Sequence, residues 1–272
     1  MYRKRFGLTH HPLPKCAQGK TFFDKSPGHA RLERAFTRLS REAGLGVLCA
    51  EAGVGKTAGL RHLCARLPRP DYQVLYLCDT CVSPLDLYRT LAQEIGVRPS
   101  HRRAQLWADI KKTLVHLVDE RGTRPVVVLD EAQHLSDRFL IDLSGFLNFA
   151  FDSRDLLTLW LCGLPSLDRT LRMHQHAPLL MRVSEQVHLE PLERDAFLAC
   201  IDHGLRAAGA TQKLVGDSAL ELLFRASRGV LRLAARILRL ALEAAHERDQ
   251  NFVDDHAMEA AVDQVVTRKA AA

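Results

Sequence analysis

Apolar and polar residues follow two different periods along the chain. Before Pro191, short continuous apolar runs of the kind found in buried strands alternate with segments in which apolar residues recur every three or four positions. The predicted strands cover 45–49, 73–78, 125–131, 156–162 and 187–189. The predicted helices between them cover 29–41, 84–95, 103–119, 136–150 and 167–173. Pro12, Pro14 and Gly19 argue against regular structure before residue 20.

After Pro191 the strand signal ends and helical periodicity continues. It predicts four helices, at 192–208, 217–227, 230–246 and 254–266. Alternating strands and helices followed by helices alone are typical of an α/β nucleotide-binding core with a smaller helical subdomain. We therefore expect a core over residues 1–190 and an all-helical lid over residues 191–272.

The first apolar run leads into the sequence AEAGVGKT at 50–57, and a helical pattern follows directly. Strand, glycine-rich loop and helix in this order are the context of a phosphate-binding loop, in which lysine reaches the β- and γ-phosphates and the threonine hydroxyl ligates Mg²⁺. The first position of the motif is Ala50 instead of glycine, which we expect to be tolerated if its φ is negative. The predicted nucleotide contacts are Glu51, Ala52, Gly53, Val54, Gly55, Lys56, Thr57 and Ala58.

The third apolar run ends in two carboxylates, Asp130 and Glu131. An acid at the carboxyl end of a buried parallel strand holds the Mg²⁺ shell in nucleotide hydrolases, and this residue is Asp130. The glutamate after it is placed to act as a general base on the attacking water. Because one strand candidate separates this strand from the loop strand, we expect the sheet of ATPases with an additional strand, and not that of the small GTPases.

Composition narrows the setting. The chain has 272 residues, 47% hydrophobic and 26% charged, with a net charge of +6 that permits nucleic-acid binding without requiring it. No apolar run is long enough to span a membrane and no secretory signal opens the chain, so we expect a cytoplasmic protein.

The seven scattered cysteines predict reduced, buried thiols. Cys78 and Cys81 have the spacing of a redox or zinc pair, but without a second pair we interpret them as structural cysteines at a strand end.

Together these residues resemble the AAA+ ATPases, and more closely the subgroup of the ExeA-type secretion ATPases and the transposon-encoded ATPases of the TnsC and TniB kind. The two core motifs, at 50–57 and 126–135, carry the resemblance, and flanking matches lie at 2–12, 161–167, 180–182 and 227–232. The resemblance implies ATP and Mg²⁺ as cofactors. It also implies that residues 1–40 pack at the adenine side of the pocket, with Phe6 among the cofactor contacts.

Three further roles follow from the resemblance. Arg182 matches an arginine finger that reaches the γ-phosphate bound to a neighbouring subunit, which implies a homo-oligomer, either a ring or a helical filament; the alternative is a surface arginine. Arg232 matches a second sensor at the start of a lid helix, again with a surface arginine as the alternative. Gly163 and Leu164 stand where the family usually has a polar first sensor, and Ser166 is a weak substitute.

The chain ends after the expected lid, without the membrane segment of the ExeA-type proteins, which favours the transposon-encoded kind. We therefore expect an ATP-dependent regulator that assembles on double-stranded DNA and recruits or stimulates a transposase, directly or through an adaptor. The candidate DNA contacts, with a solvated helix face as the alternative, are His101, Arg102, Arg103, Lys111 and Lys112. The basic cluster at 2–5 is a second candidate. An ATPase of a secretion or envelope machine and a nucleotide-gated scaffold remain the other hypotheses.

Overall fold

The computed structural model describes residues 2–270. The strands within this range are β1 (Gly44–Ala50), β2 (Tyr72–Leu77), β3 (Arg124–Leu129), β4 (Thr158–Gly163) and β5 (Val183–Leu189). The helices are α1 (Tyr2–Arg5), α2 (Pro27–Glu42), α3 (Lys56–Ala65), α4 (Pro84–Glu94), α5 (Arg103–Asp119), α6 (Asp137–Phe146), α7 (Pro165–Leu171), α8 (Ala177–Leu180), α9 (Arg194–Ala207), α10 (Asp217–Ser227), α11 (Leu231–Glu247) and α12 (Asp255–Ala270).

The chain forms two compact units. The sheet unit consists of Arg31–Glu51 and Leu63–Leu189. The helical unit consists of the residues up to Ala30, the segment Ala52–His62 and the residues from Glu190 onward. The domain boundary expected from the sequence, with a core over 1–190 and a lid over 191–272, stays a prediction. The compact units follow a different cut, because the N-terminal segment and residues 52–62 count with the C-terminal helices.

The sheet unit contains five parallel strands in the order β2-β3-β4-β1-β5. The strand β4 therefore separates β1, which leads into the phosphate loop, from β3, which leads into the two carboxylates. This order confirms the additional-strand arrangement that the sequence predicted. Since all strands are parallel, the carboxyl ends of β1 and β3 lie at the same edge of the sheet.

The core of the sheet unit lies on both faces of the central strands. Residues of β1 and β4 are buried throughout, and those of β3 are buried except the first, whereas the outer strands β2 and β5 are partly exposed. This burial explains the continuous apolar runs in the sequence. On one face, Trp160 is fully buried, with its ring 6.2 Å from that of Phe36. A Cβ on Gly46 would lie 2.7 Å from the Trp160 ring, so only glycine fits opposite it.

The helical unit has a core of its own, built from α9, α10, α11 and α12 together with the N-terminal segment. Four helices were predicted after Pro191, and the described part of the chain has four there, α9 to α12. The expectation that the chain lacks regular structure before residue 20 is wrong for Tyr2–Arg5, which form α1, and for Gly19, which begins a short 3-10 turn. Tyr2, Phe6 and Leu8 bury their side chains in the core, and this burial holds a segment that local propensity alone would not order.

None of the helices described in this structure is long and apolar enough to cross a membrane.

Candidate active site

The phosphate loop has the backbone that its glycines predict. Gly53 has φ +85° and Gly55 has φ +120°, in a region that side chains rarely adopt. Ala50 is the buried last residue of β1 and its φ is not positive, so the expectation that alanine is tolerated there is confirmed. Lys56 begins α3 and is 7% exposed, and Thr57 follows it in the first turn. The N-terminal end of α3 provides N–H groups and a positive dipole for an anion.

Arg232 lies next to this loop within the helical unit. Its backbone N–H donates to the carbonyl oxygen of Gly53 at 3.1 Å. A Cβ on Gly53 would lie only 2.7 Å from Cβ of Arg232 and 3.2 Å from Cγ1 of Val230. The structure therefore brings together two residues that the sequence assigned to the same nucleotide, and it gives Gly53 a steric reason besides its φ. The side chain of Arg232 is exposed.

Phe6 also belongs to the helical unit, but it is 6% exposed and packs within the hydrophobic core. Its ring therefore has little free surface to offer an adenine base. Its assignment as a cofactor contact stays a prediction.

Asp130 lies directly after β3 and is 3% exposed. Its Oδ2 accepts a hydrogen bond from the Tyr76 hydroxyl at 2.8 Å, and its Oδ1 accepts one from the Glu131 N–H at 2.9 Å. Partial burial and the hydrogen bond to the carboxylate raise the pKa of Tyr76. The contacts fix the orientation of the carboxylate. Its oxygens are the hard donors that Mg²⁺ prefers, so this residue fits the predicted ion.

Glu131 has a left-handed backbone, with φ +53° and ψ +36°, which is uncommon for a residue other than glycine, asparagine or aspartate. Two neighbouring residues donate hydrogen bonds to Glu131. Its carbonyl oxygen accepts from the Thr80 hydroxyl at 2.8 Å, and its Oε2 accepts from Nε2 of Gln133 at 2.7 Å. Strained backbone of this kind is typical of functional sites.

Arg182 lies between α8 and β5, where the sequence placed the candidate finger. Its Nη1 lies 2.5 Å from Oδ1 of Asp152 in the same chain. Asp152 belongs to a loop in which Ala150, Phe151 and Asp152 have φ values of +48°, +58° and +65°. Phe151, at the centre of this run, is fully exposed. Arg182 is therefore already paired within the sheet unit, and its assignment as a finger stays a prediction.

The four residues of the predicted DNA contact on α5 do not share one surface. Arg103 pairs with Asp142 at 2.8 Å, and its guanidinium lies 4.4 Å from the centre of the Trp107 ring. Lys111 donates to the carbonyl oxygen of Asn148 at 2.7 Å, and burial and then the charge of Arg182 lower its pKa.

Arg102 and Lys112 are exposed, but Lys112 lies about two and a half turns from Arg103 and therefore on the opposite side of the helix.

Sequence reasoning missed Tyr76, Gln133 and Asp152. Gln133 lies within the motif at 126–135, but no spacing rule connects it to the residue after β4.

The cysteines also need a correction. Cys16, Cys78 and Cys81 are exposed, so the expectation of buried thiols is wrong for these three. Cys78 and Cys81 follow the edge strand β2. Among residues 2–270, no three histidine, cysteine or acidic side chains are grouped closely enough to hold a metal ion.

Comparisons with known proteins agree with this geometry. Residues 38–171 match the family model of the AAA domain. The general secretion pathway protein A of Aeromonas hydrophila is 30% identical over 255 residues, which are 93% of this chain and 46% of that protein. The ATP-dependent target DNA activator B of Escherichia phage Mu is 24% identical over 222 residues, which are 79% of this chain and 65% of that protein. The chain thus spans about half to two thirds of the length of these relatives.

The fold is shared with solved structures of distant sequence. A chain of the Drosophila ORC bound to DNA superposes with a TM-score of 0.74 at 16% identity, over 97% of this chain and 66% of that chain. At this identity the likeness concerns the fold alone, and it agrees with the parallel sheet and its strand order. Residues 38–171 therefore form an AAA domain, and over most of its length the chain is similar to secretion protein A and target DNA activator B.

Proposed function

We propose that the protein is an ATP-dependent regulator of DNA transposition that assembles with ATP on double-stranded DNA and recruits or stimulates a transposase, directly or through an adaptor. The similarity to the phage target DNA activator over 79% of the chain carries this proposal. The net charge of +6 supports it, because binding to the DNA backbone needs an excess of cations. The expected place of action is the cytoplasm.

The hydrolytic step assigns one task to each part of the site. The N–H groups of the loop and the Lys56 ammonium hold the β- and γ-phosphates. Thr57 and Asp130 would hold Mg²⁺, which supplies charge neutralisation at the phosphates when bound. Glu131 takes a proton from the attacking water, which then forms its bond to the γ-phosphorus as the bond to the leaving oxygen of ADP breaks. Arg232 senses the phosphates from the start of α11.

Assembly follows if Arg182 reaches the nucleotide of a neighbouring subunit. ATP then contacts both partners whereas ADP does not, so the ATP form favours the ring or filament. The guanidinium suits this task because it stays charged and matches the phosphate oxygens with two parallel hydrogen bonds. The pairing of Arg182 with Asp152 supports a finger that is kept in place until a neighbour arrives.

Exposed arginines on and beside α11 form the basic surface that fits a DNA backbone best. Arg232, Arg236 and Arg239 follow one another on the same side of this helix, and Arg228 precedes it. Arg232 is adjacent to the phosphate loop, so this surface lies where nucleotide binding would affect it. Contacts of this kind are independent of base sequence and weaken as salt rises. In α5, Arg103 and Lys111 are used in internal contacts, and on α11 Arg239 pairs with Glu243 at 3.7 Å.

The deciding experiment measures ATP hydrolysis with and without duplex DNA, at low and at high salt. We expect DNA to bind in the presence of ATP and to change the rate of hydrolysis, with the effect lost at high salt. Lys56→Ala should abolish nucleotide binding, and Glu131→Gln should bind ATP, hydrolyse it poorly and trap the oligomer. If duplex DNA neither binds at low salt nor alters hydrolysis, the role in transposition is wrong even where the ATPase assignment stands.

A second candidate is an ATPase of a secretion or envelope machine. The 30% identity to secretion protein A over 93% of the chain favours it. The same hydrolysis assay separates the two, because such an ATPase should respond to a protein partner and not to duplex DNA. A nucleotide-gated scaffold would show slow ATP hydrolysis that neither duplex DNA nor a protein partner accelerates.

A further inference from the structure

Gln133 uses both ends of its side-chain amide. Its Nε2 donates to Oε2 of Glu131 at 2.7 Å, and its Oε1 accepts from the backbone N–H of Leu164 at 3.1 Å. Leu164 is the first residue after β4, the strand next to β3 in the sheet. One side chain therefore connects the acid that follows β3 to the end of the neighbouring strand.

The local backbone brings Gln133 into this position. Glu131 has a left-handed conformation, and a 3-10 turn over Ala132–His134 follows it directly. The N–H of His134 donates to the carbonyl oxygen of Glu131 at 3.1 Å, which closes the turn, and Ala132 is buried beneath it. The turn reverses the chain, so the amide of Gln133 reaches back to the carboxylate of Glu131 two residues earlier. The uncommon φ of Glu131 thus has a structural consequence.

Gly163 leaves the space that this amide occupies. A Cβ on Gly163 would lie 2.8 Å from Oε1 of Gln133 and 3.2 Å from its backbone nitrogen. Any other residue at position 163 would push the amide away. The polar group that is absent from the side chains of Gly163 and Leu164 is therefore supplied from the β3 side, by Gln133.

We propose that Gln133 is a positioning residue for hydrolysis, which holds the Glu131 carboxylate against the end of β4 in the orientation needed to take a proton from water. This rests on the proposed role of Glu131 as the base. The amide fixes the carboxylate through a directed hydrogen bond, and the Leu164 N–H fixes the amide in turn. Orientation of a catalytic group to within about 1 Å is worth on the order of 100-fold in rate.

The test compares Gln133→Met, which keeps the length of the side chain but has no amide, with Gln133→Ala and Gly163→Ala. For each we expect a fall in kcat of about 10- to 100-fold, with ATP affinity and KM within about threefold of the wild type. Gln105→Met is the matched control, since the Gln105 amide also donates to a carboxylate, that of Asp109 at 2.8 Å, but on the exposed surface of α5. Its kcat should not change.

Two double variants separate positioning from a general structural role. In the Glu131→Gln background, Gln133→Met should have no further effect on kcat, because the group that it positions is gone. In the Gln133→Ala background, Gly163→Ala should have little further effect, because the oxygen that it displaces is gone. Additive losses in both cycles would overturn the inference and indicate a structural role.

The inference and the proposed function fail in different ways. If Glu131→Gln loses turnover but Gln133→Met keeps it, the positioning role is wrong and the base remains. If Glu131→Gln itself keeps full turnover, the base is misassigned and the positioning role is wrong with it. Thermal unfolding of each variant checks that the fold is kept, and Gly163→Ala gives an independent reading if Gln133→Met is unstable.

Discussion

Arg182, the proposed finger, forms an ion pair within its own chain, and this pair would compete with a contact between chains. Its partner, Asp152, lies at the end of three consecutive residues with positive φ, none of which is glycine. Each such residue costs about 1–3 kcal/mol when its side chain opposes the conformation. The loop keeps this strain while it presents a carboxylate to Arg182 and exposes Phe151. We infer that the pairing sets how readily Arg182 turns to a neighbouring subunit.

Replacement of Asp152 by asparagine should release Arg182. We expect Asp152→Asn to lower, by about threefold to tenfold, the protein concentration at which turnover is half-maximal, because about 1 kcal/mol of a partly exposed ion pair is no longer lost on assembly. Arg182→Ala should instead lose turnover and keep nucleotide affinity. The measurement is the specific rate of ATP hydrolysis against protein concentration, with Asp155→Asn as the control. If Asp152→Asn behaved like Arg182→Ala, the pair would hold Arg182 in its active position instead.

Tyr76 forms a hydrogen bond with Asp130, the acid that precedes Glu131. Its hydroxyl donates to Asp130, and partial burial and this carboxylate raise the pKa of the phenol above its ordinary value of 10. The hydroxyl therefore stays protonated, and keeps donating, throughout the pH range below about 10. We expect Tyr76→Phe to raise the Mg²⁺ concentration needed for half-maximal hydrolysis about threefold to tenfold, since the carboxylate loses an orienting hydrogen bond.

A magnesium titration of the hydrolysis rate at pH 7 and at pH 9 checks this. The difference between wild type and Tyr76→Phe should be the same at both values. A difference that disappears by pH 9 would contradict the assignment of Tyr76 as the donor.

These residues also mark the limit of prediction from sequence. The sequence predicted Lys56, Thr57, Asp130 and Glu131, because each of them belongs to a motif whose residues are adjacent in the chain. Tyr76 and Gln133 were not predicted, because their hydrogen-bond partners depend on which strands are adjacent and on the conformation of the turn after Glu131. Gly163 was noticed only as a missing polar residue, and the contact that explains it appears only when β3 and β4 are side by side.

Helices and strands were predicted well where their signals are local. Helix α5 has the bounds that its periodicity predicted, and α4 begins after Ser83, whose hydroxyl accepts from the N–H of Asp86 as a cap. The strand β5 was expected over 187–189 but spans Val183–Leu189. Its residues 184–186 are polar and partly exposed, as is typical of an edge strand, so the apolar pattern covers only its end.

The start of α12 offers a test of local stability. Asp254 precedes this helix, and its Oδ1 accepts from the N–H of Ala257 at 2.8 Å while its Oδ2 accepts from Nε2 of Gln250 at 2.8 Å. The hydrogen bond from Ala257 is the main reason that the pKa of Asp254 is lowered. We expect Asp254→Ala to reduce the free energy of unfolding by about 1 kcal/mol at pH 7 through loss of the cap.

The sign of the pH dependence follows from the lowered pKa. The carboxylate stabilises the folded state above the ordinary pKa of about 4, and this contribution is lost as pH falls through the lower folded value. The gap between wild type and Asp254→Ala should therefore narrow in acid. Urea unfolding at pH 7 and pH 3 measures it, with Glu259→Gln on the exposed side of α12 as the control. A gap that widened at pH 3 would contradict the cap.

The protein as a whole has its positive charge in several places, and the sequence could not rank them. The candidates on and beside α5 are close in the sequence, but the helix separates Arg103 from Lys112, and internal contacts use Arg103 and Lys111. Of the arginines on α11 the sequence analysis singled out Arg232 alone, because whether a side chain faces solvent depends on the packing of α10, α11 and α12. Exposure in the folded chain, and not density in the sequence, decides which surface is available to DNA.

Charge reversal in each surface tests this ranking. We expect Arg236→Glu with Arg239→Glu to weaken duplex DNA binding in the presence of ATP by at least 10-fold, and to reduce the slope of log K against log salt by about 2, since two phosphate contacts are lost. Arg102→Glu with Lys112→Glu carries the same change in charge on α5 and should weaken binding less. Binding is measured by fluorescence anisotropy over a range of salt concentrations, with nucleotide affinity as the check on folding. A larger loss of affinity from the α5 pair would place the DNA on that helix instead. Equal small losses would indicate that neither surface binds the DNA. The comparison is informative because both pairs change the net charge equally, so a general electrostatic effect would lower both affinities alike.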